Sequence, residues 1–172
     1  MISRLTWSLL VIVLCAAFGT QSFAQQDSVK VEIKYKRLWF QERLFMLYVN
    51  GYRLINLRQP LIGIGTPRMH KGAFRHSVDM AKTNRFAHYN FDKRSKKYHF
   101  RGENIIKGEQ GAWSCFASWR QSKGHRENIL DRSFFFTGVG FVRLKIITTT
   151  TVDGKKQTTK AKGTLYGTHV FK

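Results

Sequence analysis

The N-terminal segment decides the compartment of this chain of 172 residues, and therefore how the rest of it must be stabilised. Arg4 supplies a positive charge ahead of the apolar run LLVIVLCAAF at 9–18, which is too short to span a bilayer comfortably. Ser22 and Ala24 then provide small residues at a cleavage site. This pattern predicts a secretory signal peptide over residues 1–24 and a secreted or periplasmic product, and the alternative is an uncleaved N-terminal anchor. No later segment of the sequence is apolar enough to span a membrane.

Removing 24 of the 172 residues leaves 148, which is the size of one ordinary domain with a hydrophobic core. The remaining chain keeps a single cysteine, Cys115, so it can form no intramolecular disulfide. We expect Cys115 to be a buried apolar side chain, because it lies in the aromatic stretch WSCFASW. We therefore predict an N-terminal extension at 25–36 and one domain at 37–172, held by its core alone and present as a monomer.

Positive charge dominates the composition. The net charge is +20 for the whole chain, and it falls to +19 when Arg4 leaves with the leader. Such a field attracts polyanions, namely anionic lipid or an envelope polymer. We do not expect nucleic acid, because the product is exported and its basic runs do not alternate with aromatic residues. The alternative is that these runs are solvated loops that maintain solubility. The cations of the predicted anion-binding surface are Lys93, Arg94, Lys96, Lys97, Lys155, Lys156, Lys160 and Lys162.

Hydrophobic periodicity predicts an α/β domain. The stretch SVKVEIKYK alternates as a strand does, and a helical period begins at Leu38 and is ended by Gly51 and the following LRQPL. Thr66 as N-cap and Pro67 at the first position begin a second helix. The run at 92–101 is predicted to be a basic loop, and a third helix is predicted over 110–121. A short turn of helix is expected after Gly124.

The C-terminal segment is rich in β-branched and aromatic residues. GVGFVRLKIITTTT and GTLYGTHVFK are separated by Asp153-Gly154, which is a hairpin turn signal. The sequence therefore predicts a long C-terminal β-hairpin.

The stretch RGENIIKGEQGAWSCFASWRQSKGHRENIL contains an acid, Glu103, directly after Gly102, and a histidine, His125, directly after Gly124. An acid and an imidazole beside glycines are compatible with a metal site, with an acid/base pair, or with polar groups that satisfy a buried loop. Residue spacing alone leaves all three open, since no two of these groups share a helical turn as metallohydrolase ligands do.

Five motifs occur in one order: HSVDMAKTNRFAH, GENI, SWRQSKGHRENIL, FTGVGFV and YGTHVF. Together they resemble the bacterial branch of the CAP superfamily, which includes cysteine-rich secretory proteins, venom antigens and plant pathogenesis-related proteins. The resemblance runs from about Glu42 to Phe171. It implies an α-β-α sandwich around a small antiparallel sheet, in a secreted protein with an open cleft.

The resemblance also implies which residues line the cleft. His88 matches the first histidine of the family, Glu103 its acid and His125 its second histidine. Ser122 stands where the eukaryotic branch has a second glutamate, which removes one charge from the site. His76 lies on the second helix and is expected to point toward the same cleft.

Two function classes follow from these residues. The first is a non-catalytic binding module whose cleft and basic surface engage a lipid, an anionic envelope polymer or a divalent metal. The second is a metal-dependent hydrolase or protease, because two neutral imidazoles and a carboxylate can hold zinc and leave one position for water. A divalent metal such as zinc, held by His88, Glu103 and His125, is the one cofactor that the residues suggest. The same groups can instead form a hydrogen-bonded cluster that locks the loops together.

Overall fold

The structure, a computed structural model, describes residues 28–64 and 66–172. In this part of the chain five helices and four strands follow one another in the order β1, α1, α2, α3, β2, α4, α5, β3, β4. The strands are β1 (Ser28–Arg37), β2 (Gly102–Lys107), β3 (Thr137–Val152) and β4 (Lys155–Phe171). The helices are α1 (Trp39–Ile55), α2 (Pro67–Thr83), α3 (Phe91–Tyr98), α4 (Ala112–Gln121) and α5 (Lys123–Leu130).

The four strands form one antiparallel sheet in the order β1-β3-β4-β2. The short strand β2 pairs with the end of β4, from Gly102 opposite Phe171 to Lys107 opposite Tyr166. This register sets Glu103 opposite Val170, in the part of the sheet whose side chains are buried. The candidate acid is therefore held by a strand and not by a flexible loop.

Alternate residues of β3 face two different helical layers. Val139 and Phe141 pack with Phe45 of α1 and Trp119 of α4 in the largest hydrophobic cluster. On the opposite face α2 lies directly on the strand, and a Cβ at Gly140 would stand 2.2 Å from the backbone nitrogen of Phe74. The sheet thus has helices on both faces, as the α-β-α sandwich prediction requires.

The described residues divide into two compact units. The first, which we call the ribbon unit, contains 28–34 and 145–163. The second, which we call the core unit, contains 35–144 and 164–172 apart from Gly65, and it includes all five helices and the hydrophobic core. None of these five helices is long and apolar enough to cross a bilayer. The predicted signal peptide lies outside the described residues.

The predicted elements are largely confirmed. The strand at the N-terminal end, the helix that begins at Pro67, and the hairpin that turns at Asp153-Gly154 are all present. The first helix continues through Gly51 to Ile55 and ends just before LRQPL at 57–61, because a glycine inside a helix costs only about 1 kcal/mol. Thr66 does not cap α2 with its side chain, since its hydroxyl donates to the Gly63 and Thr137 carbonyls.

The predicted basic loop at 92–101 is wrong. Residues 91–98 form helix α3. Phe91 and Tyr98 of this helix pack in a hydrophobic cluster of the core unit, while Lys93 and Lys97 face solvent. The aromatic residues recur at the spacing of one helical face, and their burial stabilises the helix despite its lysines. Arg94 lies on the same inward side as Phe91 and Tyr98, so its assignment to the anion-binding surface is also wrong.

A buried arginine fixes the end of α5, which carries the second candidate histidine. Arg53 of α1 is 1% exposed and donates to the carbonyls of Gln59 at 2.6 Å, Ile129 at 2.6 Å and Phe134 at 3.2 Å. Burial lowers the pKa of Arg53, and the nearby Arg58 adds to this effect while Asp131 opposes it. Because two of these carbonyls lie at or after the end of α5, Arg53 ties α1 to the helix that carries the second histidine.

Candidate functional site

Glu103 is the centre of the candidate site. Its side chain is completely buried and its carboxylate accepts hydrogen bonds from both terminal nitrogens of Arg94, with 2.9 Å between Nη2 and Oε1. Nδ1 of His88 lies 2.8 Å from the same Oε1. The acid is therefore paired on both oxygens before any ligand arrives.

The charge state of Glu103 follows from these partners. Burial by itself raises the pKa of the carboxyl, but the Arg94 hydrogen bonds, the charges of His76 and Arg94, and the His88 hydrogen bond together hold the pKa of Glu103 below its ordinary value. The group is thus an anion at neutral pH, and the guanidinium beside it cancels its charge.

Arg94 reaches Glu103 from α3. Its Nε donates to the Tyr89 carbonyl at 3.0 Å, and its side chain is only 11% exposed. Its guanidinium also lies over the Phe100 ring, 5.8 Å from the ring centre. Three contacts of different kinds therefore hold one orientation of the guanidinium, which suits two parallel hydrogen bonds to a carboxylate.

His88 is the exposed member of the cluster. Its side chain is 48% exposed, in the segment that connects α2 to α3. Because Nδ1 faces Glu103, Nε2 is the ring nitrogen left to meet a ligand.

His76 is buried behind this cluster. Nε2 of His76 stands 3.8 Å from Oε1 of Glu103, which is too long for a hydrogen bond, and its ring packs edge-on against Tyr89 with 4.9 Å between ring centres. Burial lowers the pKa of His76 to about 4, although the charge of Glu103 and a backbone interaction with Ala87 oppose the shift. His76 is therefore neutral at pH 7, and it forms no side-chain hydrogen bond of good geometry with a described residue.

His125 lies on α5 and is tied to β2 through its backbone. The Asn104 side chain donates to the His125 carbonyl at 2.9 Å, and Asn128 donates to Asn104 at 2.8 Å. Burial lowers the pKa of His125, and the charge of His88 lowers it further. The two imidazoles are thus within electrostatic reach of each other, although no direct contact joins the ring of His125 to Glu103.

Ser122 joins α4 to α5, and its contribution to the site is structural. Its backbone nitrogen donates to Ser118 at 3.1 Å and its carbonyl accepts from Arg126 at 2.9 Å. Among the described residues no hydrogen bond links its hydroxyl to His88, Glu103 or His125.

The structure brings together His88, Glu103 and His76, and it adds Arg94, which the sequence analysis placed on the surface. Within 28–64 and 66–172 no three His, Cys, Asp or Glu side chains are arranged to hold a metal ion. The charges of the site also disfavour a metal ion, because the Arg94 guanidinium already donates two hydrogen bonds to the Glu103 carboxylate. We therefore derive no chemistry through a metal at this site.

Helical periodicity is the sequence signal that predicts an inward-facing Arg94. Phe91, Arg94 and Tyr98 recur at the spacing of one helical face, whereas Lys93, Lys96 and Lys97 fall on the other. A cation on the aromatic face of a basic helix is directed inward and needs a buried acid as its partner.

Three comparisons with known proteins agree with this fold. The profile of the Cysteine-rich secretory protein family, CAP, matches residues 66–146, which include His76, His88, Glu103 and His125. YkwD of Bacillus subtilis (strain 168), an uncharacterized protein, is 36% identical over 94 residues, which are 49% of this chain and 37% of that protein.

Two solved structures share the fold at low sequence identity. An extracellular protein with an SCP domain from Bacillus anthracis matches with a TM-score of 0.58 and 22% identity, over 77% of this chain and 40% of that one. An outer surface protein of Borrelia burgdorferi matches with a TM-score of 0.57 and 13% identity, over 81% of this chain and 98% of that one. The chain thus spans less than half the length of YkwD and of the Bacillus anthracis protein.

The sandwich, the matched segment and these relatives define an SCP-type domain. Residues 66–146 of the chain match the CAP family, and bacterial proteins are among the relatives that it resembles.

Proposed function

We propose that this CAP protein is an exported binding module whose cleft takes an anionic group at His88 and His125, and that it is not a hydrolase. The observation that carries the proposal is the double hydrogen bond from Arg94 to Glu103. Export is supported by the leader pattern at 1–24 and by relatives described as extracellular or outer-surface proteins.

Pairing of Glu103 with Arg94 argues against metal-dependent hydrolysis. A divalent cation at Glu103 would face the guanidinium within a few ångströms, where like charges repel by about 4 kcal/mol per unit charge near a protein surface. The metal would also have to displace hydrogen bonds that Arg94 makes with good geometry. The metal-dependent alternative therefore has less support than binding.

Metal-free covalent chemistry has little support either. The lowered pKa of Glu103 makes it a weak general base. Burial raises the pKa of the Cys115 thiol to about 12, and this side chain is completely buried, so it is not available as a nucleophile.

Binding of an anion suits the groups that remain. Once Arg94 has cancelled the charge of Glu103, the accessible groups are the imidazoles. Because the Nδ1 proton of His88 is directed at Glu103, His88 donates to a ligand through Nε2 only when the ring is protonated, whereas His125 donates when protonated or in the appropriate tautomer. The net charge of +20 favours the approach of anions over cations. A phosphate or carboxylate, as carried by lipid headgroups and by envelope polymers, is the ligand class that this site fits.

Calorimetric titration of the chain from Gln25 onward tests the proposal, with inorganic phosphate and short-chain dihexanoyl phosphatidylglycerol as probes. We expect His88→Asn to weaken binding about tenfold or more, since a hydrogen bond to a charged group contributes about 1.5–3 kcal/mol. His99→Asn is the matched control, because His99 is exposed and lies outside the site. Binding of neither probe, or equal loss with both variants, would contradict the proposal.

A further inference from the structure

The ribbon unit carries a dense positive charge that the cleft does not use. Its residues at 28–34 and 145–163 contain seven lysines and two acids, a net charge of +5. All seven lysines are exposed. One of the acids, Glu32, is already paired with Lys34 at 3.3 Å, so it does not form a separate negative patch.

Four of these lysines share one face of the hairpin. The hydroxyls of Thr149 and Thr158 are 3.3 Å apart, so their side chains lie on the same side of the paired strands. Because side chains in a strand alternate between faces, every second residue from these two shares that side. The lysines at those positions are Lys145, Lys156, Lys160 and Lys162.

The ribbon unit also exposes β-branched apolar side chains. Val29, Val31 and Ile33 alternate along β1 and are 60%, 48% and 49% exposed, and Val152 at the hairpin tip is 47% exposed. Exposed valine and isoleucine contribute nothing to the binding of a soluble polyanion. They do gain free energy when they enter the interfacial region of a bilayer.

We propose that the ribbon unit docks the protein onto an anionic lipid bilayer. The lysines are attracted by the surface potential of the bilayer, and the apolar side chains bury in its headgroup region. The unit contains no aromatic residue, so it has no platform on which nucleic acid bases would stack. None of the cleft residues belongs to the ribbon unit, and the inference holds whether or not the cleft binds an anion.

Vesicle co-sedimentation tests the inference with the chain from Gln25 onward. The vesicles contain phosphatidylglycerol mixed with phosphatidylcholine, or phosphatidylcholine alone. One variant replaces Lys145, Lys156, Lys160 and Lys162 by Gln. The matched control replaces Lys71, Lys93, Lys96 and Lys97, which are exposed residues of the core unit, by Gln and so removes the same net charge.

We expect the ribbon variant to lose about a hundredfold in affinity for the anionic vesicles, from about 1 kcal/mol per lysine near the surface with partial compensation. The control variant should retain most of its affinity. Val29→Ser with Ile33→Ser should weaken vesicle binding but leave binding to heparin, a soluble polyanion, unchanged.

Three results would overturn the inference. These are equal binding to both kinds of vesicle, equal loss in the two lysine variants, and vesicle binding that does not respond to the valine and isoleucine substitutions. The last result, with heparin binding retained, would assign the ribbon unit to a soluble polyanion.

Discussion

Arg94 and Glu103 form a buried ion pair in which both terminal nitrogens of the guanidinium donate to the carboxylate. The pair joins helix α3 to strand β2, and it supplies the counter-charge that Glu103 would otherwise take from a ligand. The chemistry proposed for the cleft depends on this relationship.

Removal of the guanidinium should destabilise the protein strongly. Arg94→Met leaves the Glu103 carboxylate buried with only His88 as a partner, and breaking such a pair costs about 3–5 kcal/mol. The free energy of unfolding from urea denaturation measures the effect. Arg85→Met is the control, because Arg85 is exposed and its guanidinium lies over the face of the Tyr89 ring, so the substitution should cost less than about 1 kcal/mol. Similar losses in the two variants would refute the assigned role of Arg94.

Acidification should destabilise the fold through His76. The pKa of His76 falls from 6.5 to about 4 on folding, so the unfolded chain binds a proton between these values and the folded chain does not. The contribution of His76 to the free energy of unfolding is therefore fully present above pH 6.5. It decreases by about 1.4 kcal/mol per pH unit as the pH falls from 6.5 toward 4.

The pH effect is measured by comparison with His76→Gln, which cannot titrate. Between pH 6.5 and pH 4.5 the native chain should lose about 2–3 kcal/mol more than the variant. The buried His169, whose pKa burial also lowers, contributes equally to both proteins and cancels in the difference. If the free energy of unfolding changes with pH in the same way for the two proteins, the pKa of His76 is not lowered on folding.

The hairpin turn should tolerate one substitution and reject another. Asp153 and Gly154 have φ angles of 47° and 75°, the left-handed conformations of a two-residue hairpin turn. Asp153→Asn should preserve hydrogen-exchange protection across 145–163, since asparagine adopts this conformation readily. Gly154→Val should lower that protection by about 1–2 kcal/mol, because a β-branched residue is strained there. Equal protection in the two variants would exclude this turn geometry.

Sequence patterns predicted the elements whose burial follows a simple period. The α2 face of Met69, Ala73, His76 and Met80 is buried as expected, since a helix in contact with a sheet on one side must repeat its apolar residues at that spacing. The long C-terminal hairpin was also predicted correctly, because its turn residues favour the left-handed backbone conformation that a two-residue turn requires.

The partners of the buried arginines could not be predicted in the same way. Arg53 donates to the carbonyls of Ile129 and Phe134, more than seventy residues away in sequence, and Arg94 donates to a carboxylate on another element. Such partners exist only after the chain has folded, and Arg94 was therefore predicted to lie on the anion-binding surface. Glu103, by contrast, was identified through its motif, and Nδ1 of His88 lies 2.8 Å from its carboxylate.

Native mass spectrometry after incubation with zinc tests the central claim most directly, using the chain from Gln25 onward and its Arg94→Met variant. We predict no stoichiometric zinc on the native chain, because the guanidinium occupies Glu103, and one zinc on the variant, where the carboxylate is free to pair with a cation. One zinc per native chain that is lost on His125→Ala would contradict the account and restore the metal-dependent hydrolase.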